Sequence, residues 1–184
     1  GAMGIMTIPI TKLDYYVDHK ELQDTAIEFV HQYHWDKSNQ LCLLNTPDVE
    51  PGNPYQGIGH VREPSYPAFG YNEGDFSVFH PDYENTILGK LYREFPFPVC
   101  RMRLMRVPAK RCYTMHVDGD TDRYHFAVIS NENAFFVFKN QQRIQSIPCD
   151  GHAYKVHVEE PHTFVNTNSD FDRLHLVLDA APKI

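Results

Sequence analysis

Cysteine is scarce in this chain and badly placed for metal caging or cross-linking. The four residues, Cys42, Cys100, Cys112 and Cys149, are far apart and form no CxxC pair. That argues against a zinc ribbon or a disulfide framework and favours reduced thiols, hence a cytoplasmic protein. Long apolar runs are missing too: nothing approaches the ~20 residues of a membrane-spanning helix. No secretory signal pattern opens the chain, so no membrane partner is expected. Basic residues are outnumbered, 17 against 24 acidic for a net charge of −7, and are not gathered into a run. A nucleic-acid partner is therefore not expected. Internal repeats and low-complexity segments are absent as well.

What is present is ordinary for a globular protein, with 42% hydrophobic and 22% charged residues. A length of 184 residues predicts a single domain with a substantial core, taken here as 5–184. Residues 1–4 (Gly-Ala-Met-Gly) read as the remnant of a cleaved tag. Residues 7–17 have the apolar-aromatic character of an edge strand. Asp18 and Glu21 have the spacing of a capping box, followed by a helical stripe of Leu22, Ala26, Ile27, Val30 and Tyr33. Gln40 to Leu44 reads as a buried strand. Residues 46–78 carry Pro47, Pro51, Pro54, Pro64 and Pro67 among many aromatics, which predicts a long ordered loop, packed over the core or serving as a substrate lid. A second helix is expected from about Asp82, with Ile87, Leu88, Leu91, Tyr92 and Phe95 on one face, stopped by Pro96 and Pro98.

From residue 99 onward the period changes to two. Strands are expected at 99–107, 111–116, 123–130, 134–139, 142–147, 153–158, 162–166 and 172–179, separated by short turns. The predicted architecture is mainly β with flanking helices. The helical and loop part, 5–98, would pack on a double-stranded β-helix (jelly-roll, cupin-like) core at 99–180. Parity within two of these strands is informative. Arg123, His125, Ala127 and Ile129 share one face, opposite Tyr124, Phe126 and Val128. Arg173, His175, Val177 and Asp179 oppose Leu174, Leu176 and Leu178. On an outer wall the polar faces would simply be solvated. Inside a barrel mouth those charges need partners, and parity does not choose between the two.

His-x-Asp/Glu occurs four times. His34-Trp35-Asp36 falls at a helix end, and in His80-Pro81-Asp82 the aspartate reads as a helix N-cap. His157-Val158-Glu159 is the fourth. His116-Val117-Asp118 is followed by a histidine opening a strand, His162, and an arginine inside the next strand, Arg173. Two imidazoles and one carboxylate suit non-haem iron(II), since they leave three coordination positions open. The set reads as a mononuclear Fe(II) site holding a dicarboxylate co-substrate. Asp118-Gly119-Asp120-Thr121-Asp122 also begins like a calcium loop, but Arg123 stands at the glycine position and Ile129 at the terminal glutamate position. Asp120 and Asp122 are accordingly expected to be solvated turn residues. As a structural alternative, Arg173 could pair with Asp172 or Asp179.

The segments Arg103-Leu104-Met105-Arg106-Val107-Pro108, His116-Val117-Asp118, Arg123-Tyr124-His125-Phe126-Ala127-Val128, His162 and Asp172 to Asp179 resemble the aspartyl/asparaginyl β-hydroxylase family, itself similar to bacterial proline hydroxylases. The resemblance covers roughly 99–180. It implies an enzyme using Fe(II), O₂ and 2-oxoglutarate, with His116, Asp118 and His162 as catalytic iron ligands. It also implies Arg173 on the distal carboxylate of 2-oxoglutarate, His125 near that co-substrate, and Arg123 near a substrate carboxylate. The expected reaction is hydroxylation of an amino acid or of an amino-acid residue in a peptide, releasing succinate and CO₂. The animal aspartyl/asparaginyl enzyme has glycine where this chain has Asp118, so the site resembles the branch with a full triad. The alternatives are a non-catalytic cupin-like domain binding metal and a small acid, or another metal-dependent cupin enzyme such as an isomerase.

Overall fold

The computed structural model describes residues 8–36, 38–118 and 121–182; residues 1–4, and with them the tag reading, and Asp120 lie outside the described residues. β1 (Ile10–Tyr16) leads into α1 (His19–His31). Asp18 caps that helix by accepting a hydrogen bond from the Glu21 N–H at 2.8 Å. The buried stripe is Leu22, Ala26, Phe29 and Val30; Ile27 lies at its margin, and Phe29 takes the central place. β2 (Gln40–Cys42) and β3 (Leu44–Asn45) split the expected buried strand at Leu43, whose N–H donates to the Met102 carbonyl. Residues 46–78 form turns, a short 3-10 segment at Glu73–Asp75 and the start of β4 (Val78–Phe79).

The second helix, α2 (Ile87–Glu94), starts later than the pattern suggested. Tyr83 and Thr86 make tight turns back to the His80 and Tyr83 carbonyls, and the Asp82 N–H is taken by His80 Nδ1 at 3.2 Å. The N-cap is therefore Thr86, whose hydroxyl oxygen accepts from the Leu88 N–H, and not Asp82. The β-rich part follows as β5 (Val99–Val107), β6 (Arg111–Cys112), β7 (Arg123–Ile129), β8 (Ala134–Phe138), β9 (Arg143–Gln145), β10 (His152–Val156), β11 (His162–Asn166) and β12 (Arg173–Ala180). The strand expected at 111–116 is cut to β6, with His116 joining only through an isolated bridge to His162.

The strands form two facing antiparallel sheets in the manner of a jelly roll. One has the order β1-β10-β7-β12-β5-β2 and the other β6-β11-β8-β9. β1 is an edge strand, as its sequence suggested, and β2 closes the opposite edge. The residues before position 99 thus supply strands to the large sheet as well as helices. On the outer face of that sheet, Leu22 and Phe29 of α1 and Leu88 and Leu91 of α2 share one core cluster with Tyr124, Phe126, Val128, Leu174, Leu176 and Leu178. A second cluster fills the space between the sheets, including Val107, Ala127, Phe136, Phe138, Val156 and Phe164. Ala127 therefore points inward, whereas Ile129, beside an irregularity in the β7–β12 pairing, packs against the outer cluster. Arg123 and His125 on β7, with Arg173, His175 and Asp179 on β12, face the barrel interior. Among the described residues, no helix is long and apolar enough to cross a membrane.

Candidate functional site

Extended chain places residues i and i+2 on one side, so His116 and Asp118 project together while Val117 is left exposed. A pair of backbone hydrogen bonds of 2.9 Å joins His116 to His162, and the Asp118 N–H donates to the Val158 carbonyl. This bridge brings the three side chains together: ligand-type atoms of His116, Asp118 and His162 all lie within 4.8 Å of one another. His116 Nε2 is 3.6 Å, and His162 Nε2 3.2 Å, from the same Asp118 Oδ2.

The other ring nitrogens decide what these atoms can be. His116 Nδ1 lies 2.7 Å from the Thr114 carbonyl, and His162 Nδ1 2.7 Å from that of Glu160. A carbonyl only accepts, so both Nδ1 atoms carry hydrogen, and each neutral ring presents a lone pair at Nε2. Two lone pairs then converge on one carboxylate oxygen, an arrangement that requires a cation or a proton among them. Carbonyl-oriented imidazoles are also the usual outer support of metal-binding histidines. The donor set fits a divalent transition metal. Burial pushes the Asp118 carboxyl up, but in the metal-free protein a proton shared with the two imidazoles and the nearby Arg123 charge outweigh it and hold it far below the usual range. The same contact raises His116.

The triad stands at the mouth of a small cavity of about 80 Å³ between the sheets, lined in part by His125, Phe136, Phe164 and Arg173. Arg173 is 5% exposed, and its surroundings are unusual. One guanidinium nitrogen donates to the Met105 carbonyl at 3.2 Å, the group lies 4.1 Å over the Phe164 ring, and Nε has no partner. Among the described residues no carboxylate comes within ion-pair distance of it. The two aspartates that might have neutralised it are engaged elsewhere: Asp172 faces Arg106 at 3.7 Å, and Asp179 binds Arg103. Burial pushes the Arg173 guanidinium down to about 9. A buried charge without a counter-ion is costly, so this arginine is arranged for an anion that enters the cavity.

The cavity opens on a larger one of about 360 Å³, which shares His116, Asp118, Arg123, Met105 and Tyr113 with it. Its far wall comes from the proline-rich loop. Gly59 holds that wall in shape: at φ +78 a side chain there would strike the Tyr66 ring at 2.1 Å. The Gly59 carbonyl accepts from Arg101, and its N–H donates to Gln40. Three arginines surround Asp179, whose carboxylate takes two 2.9 Å hydrogen bonds from Arg103 and lies 3.6 Å from Arg123 and 3.9 Å from Arg101. Burial raises the Asp179 carboxyl, and the three positive charges more than reverse it. Among the described residues the Arg123 guanidinium has no partner beyond that loose ion pair, and it faces both cavities.

Every residue singled out from the sequence (His116, Asp118, His162, Arg173, His125 and Arg123) thus lines one contiguous space. Sequence reasoning missed Arg101, Arg103, His60 and Tyr66 in its wall. Period-two parity opposite β12 could have suggested the first two; nothing in the loop signalled the others. Asp122 is not a free turn residue as expected, for it pairs with Lys155 at 3.3 Å and His157 at 3.1 Å. His125 and His175 form a buried pair with Nδ1 atoms 3.0 Å apart.

That pair has a pH consequence. Burial first, and the Arg173 charge second, hold both rings well below the ordinary histidine value. Unfolding exposes them to protons that the folded state refuses, so stability is kept above about pH 6.5 and lost as pH falls below it. His60 and His80 act in the same sense, while His116 opposes. Urea unfolding of metal-free protein should show lower stability at about pH 5.5 than at about pH 7.5. Equal stabilities at both values would mean that the pair is protonated or solvated.

No protein-family model and no curated protein sequence matches this chain. Among solved structures, the fold is similar to the crystal structure of a viral collagen prolyl hydroxylase from Paramecium bursaria Chlorella virus-1, in its 2OG complex. The TM-score is 0.54 at 12% identity, covering 94% of this chain and 95% of that one. The likeness is one of fold. It does not single out the aspartyl/asparaginyl β-hydroxylases.

Proposed function

We propose that this protein is an Fe(II)- and 2-oxoglutarate-dependent dioxygenase that hydroxylates an amino acid or an amino-acid residue in a peptide. One observation carries the reading. Two Nε2 lone pairs and a carboxylate converge at one end of a cavity whose other wall holds a buried guanidinium with no carboxylate partner among the described residues. That combination suits a chelating dicarboxylate bridging a metal and an arginine. The fold shared with a hydroxylase crystallised with 2OG supports it. So does the resemblance of residues 99–180 to the aspartyl/asparaginyl β-hydroxylases, the finer assignment we favour.

In this reading His116, Asp118 and His162 hold the metal, with Thr114 and Glu160 fixing the two rings. Iron(II), when bound, supplies the oxygen chemistry that couples oxidative decarboxylation of 2-oxoglutarate to succinate with insertion of one oxygen atom into a substrate C–H bond. Arg173 receives the distal carboxylate through its planar fork, which lysine cannot reproduce. His125 faces the co-substrate from β7. Phe136, Phe164 and Met105 keep water from it, strengthening each polar contact. Arg123 offers its free donors to a carboxylate of the substrate in the larger cavity.

Anaerobic addition of Fe(II) and 2-oxoglutarate should give a weak visible charge-transfer band. Admission of O₂ should then release succinate, and a screen of amino acids and peptides by mass spectrometry should find a gain of one oxygen. A non-catalytic binding domain would give the band without succinate, and no band would sink the assignment altogether.

A further inference from the structure

The inward face of β12 carries a second buried group that the reaction leaves without a task. His175 is 0% exposed and lies two residues from Arg173 on the same side of the strand. Its Nδ1 is 3.0 Å from Nδ1 of His125, with the ring planes at 81°. Its Nε2 has no hydrogen-bond partner among the described residues, and the ring packs against Phe164 and Phe136.

Two ring nitrogens at hydrogen-bond distance hold one proton between them. Both imidazoles are neutral in this setting, because burial and the Arg173 charge disfavour the ionised form. If His125 were the donor, the only N–H of His175 would be at Nε2, an orphaned donor among phenyl rings. If His175 is the donor, the orphan is a bare lone pair, and folded interiors tolerate unpaired acceptors better than unpaired N–H groups. In that second case His125 keeps its own hydrogen on Nε2, the nitrogen left for the cavity that His125 lines. An anion in that cavity needs a donor and not another lone pair. The buried end and the ligand end of the pair therefore select the same tautomer.

We propose that His175 is a positioning residue: by donating Nδ1–H to His125 it holds His125 as the Nε2–H tautomer, which donates to a carboxylate of the bound 2-oxoglutarate. The target of that bond rests on the functional reading above; the direction of the His175–His125 bond does not. Long-range ¹⁵N–¹H correlation of the imidazoles in the metal-free full chain reads the tautomer directly, without co-substrate. The expected spectrum shows His125 protonated on Nε2 in the wild type. In the His175→Val variant that preference should be lost. The KM for 2-oxoglutarate should rise about tenfold, as for loss of a charged hydrogen bond, with kcat at saturation within about twofold. His175→Asn, whose amide can still donate, should recover most of the KM.

Three results overturn the proposal: a wild-type His125 protonated on Nδ1, an unchanged KM in His175→Val, or a fall in kcat at constant KM. Should His175→Val not fold, the wild-type tautomer and the His175→Asn kinetics still decide. Wild-type protein that takes up no 2-oxoglutarate by calorimetry would overturn the functional reading, and the carboxylate target with it. The imidazole spectrum would then still report separately on the direction of the bond.

Discussion

His162→Ala, or His116→Ala, is expected to reduce iron-dependent turnover by at least ~100-fold, since loss of even an outer-shell partner of a metal ligand costs 10–100-fold. Each substitution removes one of the two Nε2 lone pairs facing Asp118 Oδ2. A cation left with one imidazole and one carboxylate would lose one of its three protein ligands and bind more weakly. The two variants should differ in stability. His162 is 4% exposed between Phe138 and His116, so its truncation leaves a cavity. The His116 side chain is 38% exposed, and its removal should hardly change the unfolding midpoint. Metal binding by calorimetry, succinate release and a thermal melt separate these effects. Full activity in the well-folded His116→Ala variant would remove that residue from the metal site.

Arg173→Met should move two quantities in opposite senses. The requirement for 2-oxoglutarate should rise more than tenfold, because a charge-assisted contact worth ~1.5–3 kcal/mol is lost. Ligand-free protein, by contrast, should be as stable as the wild type or more so. In the absence of an anion the guanidinium has one 3.2 Å hydrogen bond to Met105 and the face of Phe164 to offset its removal from water. Replacing buried charge by an apolar side chain of similar length is commonly neutral or stabilising. Any stabilisation of the wild type on adding 2-oxoglutarate should be smaller in the variant at the same concentration. Thermal or urea unfolding with and without 2-oxoglutarate measures both. A large fall in ligand-free stability would mean that Arg173 is a structural residue already satisfied by its surroundings.

The strand pattern after residue 99 was legible because period two is a local property of extended chain. β5, β7, β11 and β12 fall within a residue of their expected limits. α2 was overextended because its apolar stripe says nothing about where the first turn closes. Local contacts at His80, Asp82 and Tyr83 use the backbone donors that a helix starting there would have presented. The proline-rich loop was recognised as ordered, yet its place as a wall of the larger cavity depends on Arg101 reaching the Gly57 and Gly59 carbonyls across the fold. No local pattern encodes contacts of that sequence separation.

Residue types and their spacing were enough to group His116 with Asp118, to add His162 and Arg173, and to put arginine and histidine on one side of β7 and of β12. Alternation divides a strand into two faces without saying which one water reaches. That was decided by α1 and α2 covering the leucine and phenylalanine face, which turned Arg123, His125, Arg173 and His175 inward. Only the folded barrel engages Asp172 and Asp179 with other arginines, and so leaves the Arg173 charge without a counter-ion among the described residues. The physical reason is range: side-chain parity is settled between neighbours in the chain, whereas burial and charge pairing are settled between strands distant in sequence.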